Sequence, residues 1–140
     1  YVIASERAKF VSAYTSSGLT PDGSSTYYLA KHVGLLRAKE LMLTNRALTA
    51  DEAQSWGLVN RVVPPGALMD EAYATARQIA SGPTKAFGGV KKLLDTSFSD
   101  GLETQLDRET RSIADMMRTN DGPAGIAAFL AKETPRFQGT

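Results

Sequence analysis

This sequence offers no thiol, having no cysteine, and a single imidazole, that of His32, for acid–base or nucleophilic chemistry. Disulfides, thiolate nucleophiles and cysteine-ligated metals are therefore excluded, and no metal site is expected. His32 has Lys31 beside it and no nearby cluster of carboxylates, which predicts a surface or helix-end position. Carboxylates and phenols remain. Asp22 sits in Pro21-Asp22-Gly23 ahead of a predicted helix, where an aspartate serves as a turn residue or as an anion at the helix N-terminus. The other chemistry open to a carboxylate is proton transfer, which requires a partly buried, water-poor setting. Tyr14 lies eight residues upstream. Its phenol, with an ordinary pKa near ~10, is a poor activator of water at neutral pH. Near the C-terminus Phe129 and Lys132 are three apart on a predicted helix and so share a face. Glu103, Asp107 and Glu109 read as a solvated or intersubunit face, and Met42, Met69, Met116 and Met117 as core or interface filling.

The 140 residues carry 16 basic and 15 acidic side chains, a net charge of +1, dispersed along the chain. No basic stripe points to nucleic acid, and no acidic tail to a disordered partner. No apolar run approaches ~18 residues, so no membrane partner is expected. Composition fits a soluble, globular protein of a reducing compartment and goes no further; the expected localisation is cytoplasmic.

The elements that must position these side chains begin with Tyr1 to Ala4, a β-rich run without a preceding turn or cap. A second β run starts at Lys9 and extends toward Tyr14. An orphaned strand leaves backbone groups unpaired, so the expectation is a chain lacking upstream polypeptide. Ser16 to Ser25 is dense in turn formers, with Ser24 or Ser25 expected to cap a helix that Gly34 stops after Val33. Leu35 to Leu43 repeats apolar residues at helical spacing. Thr49-Ala50-Asp51-Glu52 is a capping box, opening a short helix that ends at Gly57. Leu58 to Val63 reads as a strand broken by Pro64-Pro65-Gly66. Four further helices are predicted, over about 67–80, 84–95 and 100–118 and from Asn120 onward. A sheet this small does not stand alone, which again implies a missing partner.

The ordered segments resemble a known family. Gly34 through Ala53 is similar to the crotonase-superfamily stretch G-x-x-x-A-x-E-L-x-L-T followed by A-x-x-A. Trp56-Gly57-Leu58-Val59-Asn60-Arg61-Val62-Val63 is similar to its next strand. Ser5-Glu6-Arg7-Ala8-Lys9-Phe10 resembles A-x-x-A-x-F, and Phe129-Leu130-Ala131-Lys132 resembles FL-x-K near the family's C-terminus. The likeness runs through nearly the whole chain, in the family's order.

The resemblance implies an α/β fold: residues 1–66 would be the C-terminal part of a crotonase-like ββα spiral. Residues 67–140 would be a helical region for trimerisation and coenzyme A contact, in homotrimers or hexamers. It implies an acyl-CoA enzyme of fatty or aromatic acid metabolism in which two backbone N–H groups stabilise a thioester enolate. Both donors would lie upstream of this chain, in the N-terminal half of the same protein, so the isolated chain would be inactive. No cofactor is implied beyond the coenzyme A moiety of the substrate. Hydratases of the family carry a glutamate where this sequence has Tyr14, which favours isomerisation over hydration. Its isomerases resemble this chain in having a carboxylate at the position of Asp22. One carboxylate suffices for a 1,3-proton shift. The 4-chlorobenzoyl-CoA dehalogenases resemble it too, with an aromatic residue and a nucleophilic aspartate at the same separation. Tyr14 would then be a ring-binding wall. Phe129 and Lys132 would contact the adenine and phosphates of coenzyme A, with Lys91 and Lys92 as weaker candidates. A non-catalytic assembly module is the alternative from another class.

Overall fold

The computed structural model describes residues 1–140, which divide into two compact units, Tyr1–Tyr73 and Ala74–Thr140. The first unit is α/β. Strand β1 (Ile3–Ser5) lies parallel to β4 (Arg61–Val63), with Ala4 opposite Val62. Strand β2 (Lys9–Phe10) runs antiparallel to β3 (Leu48–Thr49), with Phe10 opposite Leu48. Between them come helices α1 (Ser25–Val33) and α2 (Leu35–Thr44), and after β3 the short α3 (Ala50–Ser55).

Local chemistry explains most of these boundaries. Gly34 takes φ +81°, so the chain turns between α1 and α2 at a residue without a Cβ to clash. The capping box forms as its spacing predicts: the Thr49 hydroxyl accepts the Glu52 N–H at 3.2 Å, and a Glu52 carboxylate oxygen accepts the Thr49 N–H at 3.0 Å. Arg46 braces this corner, with its guanidinium 2.5 Å from Glu40 and 3.1 Å from Glu52. The same guanidinium lies 5.1 Å from the Trp56 ring centre, and that of Arg37 lies 4.7 Å from it. Ala4, Leu41, Leu48, Ala50, Ala53 and Val59 form the buried core, with Phe10, Leu29 and Trp56 packed against it.

The strand expected over Leu58 to Val63 is confined to Arg61–Val63, because the N–H groups of Leu58 and Val59 bond back to the Ala53 carbonyl. Two expectations ahead of α1 also give way to other geometry. The second β run does not reach Tyr14: β2 ends at Phe10, and Tyr14 turns into the right-handed helical region at φ −60°, ψ −48°. Its carbonyl accepts the N–H groups of Ser17 and Leu19, closing a 3₁₀ turn at Thr15–Ser17 that local hydrogen bonding favours over a strand without a partner. Ser24 does not cap α1 either. It is left-handed at φ +64° with no side-chain bond to the helix, while the Ser25 N–H and hydroxyl both reach the Asp22 carbonyl.

Helix α4 (Leu68–Ala80) leads out of the first unit, and α5 (Thr84–Thr96), α6 (Leu102–Met116) and α7 (Asp121–Ala131) build the second. Helices α5 and α6 lie against each other. The C-terminal tail is fastened to the start of α7. Asp121 is buried, and its two carboxylate oxygens each accept a backbone N–H at 2.7 Å, from Gln138 and Gly139. Asn120 completes the clasp through its side chain and backbone to Thr140. No helix is long and apolar enough to cross a membrane, and no group of three or more His, Cys, Asp or Glu side chains could hold a metal ion.

Candidate active site

Tyr14 and Asp22 meet. The Tyr14 hydroxyl donates to Asp22 Oδ1 at 2.8 Å, across the loop that separates β2 from α1. Each end of this bond rests on an anchored backbone. Tyr14 opens the 3₁₀ turn, whose next two residues are tied to the end of α2. There the Thr15 hydroxyl lies 2.6 Å from the Met42 carbonyl and 3.0 Å from Asn45 Oδ1, which also accepts the Ser16 N–H at 3.3 Å. Asp22 is held from the other side, because its carbonyl receives both bonds from Ser25 at the first residue of α1.

The carboxylate does not cap α1: its hydrogen bond goes to a phenol rather than to the N–H groups of the helix. That phenol is held above its ordinary pKa of 10.0, first by the hydrogen bond to Asp22 and then by the charge of the same carboxylate. Tyr14 is half-buried and Asp22 is exposed. The water-poor setting that proton transfer requires is thus not formed around the exposed Asp22 by this chain. Tyr14 is more than the aromatic surface expected from sequence, since its hydroxyl is engaged with the carboxylate.

Asn45 is a structural participant that the sequence reading passed over. Its signal is an asparagine just past a helix, where it takes the left-handed conformation at φ +53° and points a side-chain oxygen at a neighbouring turn. His32 is exposed in the last turn of α1, as its surroundings predict.

In the second unit, Phe129 is 80% exposed and borders a groove of about 460 Å³ with Lys85, Gly125, Glu133 and Phe137. Lys132 does not line it. Helix α7 stops at Ala131, and Lys132 takes the left-handed cap conformation at φ +56°, so the shared helical face expected for Phe129 and Lys132 does not extend to the lysine. The cation that does border the groove is Lys85, which sequence reasoning did not single out. Of the two weaker candidates, Lys92 lines a second groove between α5 and α6 with Arg108 and Arg111, and Lys91 does not. Asp121 was also missed: Asn120-Asp121-Gly122-Pro123 reads as a helix start, and nothing local announces that the carboxylate will be buried against the tail.

Known proteins resemble this chain along nearly its whole length. The enoyl-CoA hydratase/isomerase family model matches residues 1–140. The chain is 38% identical over 138 residues to 1,2-epoxyphenylacetyl-CoA isomerase of Escherichia coli K12, covering 99% of this chain and 53% of that protein. It is 37% identical over 131 residues to 4-chlorobenzoyl coenzyme A dehalogenase-1 of an Arthrobacter species, covering 94% of this chain and 48% of that one. Among solved structures, an enoyl-CoA hydratase/isomerase from Cupriavidus metallidurans CH34 superposes with a TM-score of 0.92 at 38% identity, over 99% of this chain and 52% of that one. The chain thus spans about half the length of the curated relatives it matches. A match over every residue, with identity well above that at which only a fold is shared, shows that this chain belongs to the enoyl-CoA hydratase/isomerase family.

Proposed function

We propose that the chain supplies the acid–base carboxylate of an acyl-CoA isomerase, with Asp22 taking a proton from one carbon of a thioester substrate and returning it to another. The observation that carries this reading is the 2.8 Å bond from the Tyr14 hydroxyl to Asp22 Oδ1. It engages one oxygen of a carboxylate that is otherwise exposed and leaves the second without a partner in the chain. Removing a proton beside a thioester builds negative charge on the carbonyl oxygen, and two backbone N–H donors in polypeptide outside this chain would stabilise it. The same polypeptide, or a second copy in a trimer or hexamer, would close over Asp22 and exclude water. No cofactor enters beyond the coenzyme A of the substrate, whose adenine and phosphates would meet Phe129 and Lys132. Hydration is disfavoured because Tyr14 stands where a second carboxylate would activate water.

A second reading has the likeness to the dehalogenase behind it. There the free Asp22 oxygen would attack an aromatic ring carbon, and halide would leave. Asp22→Asn separates both readings from an assembly module. In a protein of the relatives' full length that carries this chain, the expected loss of turnover is roughly 100- to 10,000-fold, with substrate binding retained. Isomerised enoyl-CoA as the wild-type product supports the isomerase, and halide release from a haloaryl-CoA supports the dehalogenase. Wild-type turnover in Asp22→Asn would remove Asp22 from the chemistry. The absence of turnover with any acyl-CoA in the unmutated protein would leave the module.

A further inference from the structure

We infer that Tyr14 is a positioning residue for Asp22: its hydroxyl fixes Oδ1 and so assigns Oδ2 as the oxygen that exchanges the substrate proton. The inference rests on the acid–base reading of Asp22 given above. A carboxylate on a loop rotates about its last side-chain torsion between two nearly equivalent states, and either oxygen can then face the substrate. Here the rotation is opposed by a hydrogen bond of 2.8 Å to a charged acceptor, a class of bond stronger than one between neutral groups. The donor does not move freely either. Tyr14 accepts two backbone bonds, from Ser17 at 3.0 Å and Leu19 at 3.1 Å, and the turn it opens is tied to Asn45. Asp22 is held through its own carbonyl by Ser25. The bond thus links two anchored points eight residues apart, and it engages Oδ1 and not Oδ2.

The proton step balances without the phenol changing. The substrate C–H bond breaks as the Oδ2–H bond forms, and the electron pair passes into the thioester enolate. The Oδ2–H bond then breaks as a C–H bond forms at a different carbon. The Tyr14 O–H stays intact throughout, so tyrosine touches no reacting atom and acts through Asp22. A phenylalanine at position 14 would keep the ring and lose only this function.

The test compares the unmutated protein, Tyr14→Phe and Asp22→Asn, in a protein of the relatives' full length, by steady-state isomerisation of an enoyl-CoA. Tyr14→Phe is expected to lower kcat roughly 10- to 100-fold. Its KM should stay within about twofold, because the ring wall survives. Wild-type kcat in Tyr14→Phe beside an inactive Asp22→Asn overturns the positioning role and leaves the acid–base reading standing. A raised KM at unchanged kcat also overturns it, reducing Tyr14 to a binding surface. Wild-type turnover in Asp22→Asn overturns the acid–base reading and the inference with it. Unchanged thermal unfolding of Tyr14→Phe excludes a folding defect as the cause.

Discussion

At Tyr14, the carboxylate that accepts the hydroxyl also opposes its ionisation, and this coupling can be measured apart from any catalysis. The phenol is raised above 10.0 because losing its proton would forfeit the bond to Asp22 and place a second negative charge beside the first. The sign follows from which state is favoured. The stabilisation from this bond is fully present below pH 10.0, the ordinary value, and is lost as pH rises through the raised one. Replacing Asp22 with asparagine removes the charge and leaves a weaker acceptor. Tyr14 in Asp22→Asn should therefore titrate closer to 10.0 than in the unmutated chain. NMR of carbon-13-labelled tyrosine, with Tyr14 assigned by its loss in Tyr14→Phe, follows this residue among the five tyrosines. An identical Tyr14 titration in both proteins would mean that the hydroxyl and the carboxylate are not in contact in solution. The sequence alone could place these two residues eight apart and no closer. Their contact depends on the loop folding back at Gly18, which takes φ +70°, and on the tie to Asn45, and neither has a periodic signature.

At the scale of elements, the corner from β3 into α3 joins a local signal to a long side chain. The Thr49 hydroxyl and the Glu52 carboxylate exchange bonds as the spacing of the capping box dictates, and Arg46 adds a cation to Glu52. Glu52 is held below its ordinary value of 4.5, first by the Thr49 backbone N–H and next by the Thr49 side chain. A depressed carboxylate contributes stability present above 4.5 and lost as pH falls through its lower folded value. Thr49→Ala should cost about 1 kcal/mol near neutrality, the usual size for a lost cap. The cost should shrink once Glu52 is protonated, because half of the reciprocal pair is then already weakened. Denaturant unfolding of both proteins near neutral pH and below the glutamate range checks this, and a constant difference would show that the carboxylate does not act with the threonine. The capping box was legible because Thr49 and Glu52 lie three residues apart, whereas the Arg46 brace, six residues from Glu52, has no such local signature. The α1 start was not legible: Ser24 and Ser25 both looked like caps, and the outcome turned on the Asp22 carbonyl reaching Ser25. The helical faces of α4 and α6 were legible as periodic stripes, but nothing in a stripe says what covers it.

For the whole molecule, the distribution of buried surface sets the solution behaviour. Every buried apolar side chain lies between Ala4 and Val63, and from Ala74 onward the one buried residue is Asp121. Helix α6 shows the consequence. Leu102, Leu106, Ile113 and Met117 recur along one side of the helix and its cap, and they remain 75%, 52%, 68% and 45% exposed. On α7, Phe129 and Leu130 add two more side chains at 80% and 75%. Contiguous apolar patches of large area are rare on water-soluble monomers. A stripe of four exposed apolar side chains on one helix face is the kind of surface a partner covers. Each buried apolar side chain of this size contributes ~1.5–3 kcal/mol, so leaving a stripe uncovered forfeits a large share of a net stability of only about 5–15 kcal/mol. The 140-residue chain purified alone should bind a hydrophobic dye strongly and either associate or unfold with low cooperativity. Charged replacements at Leu102 and Ile113 should lower dye binding and association together, because they interrupt the stripe at exposed positions. Gel filtration with dye fluorescence reads both effects. A dye-silent monomer that unfolds in one sharp transition would show that the second unit covers this surface by an arrangement of its helices different from the one described.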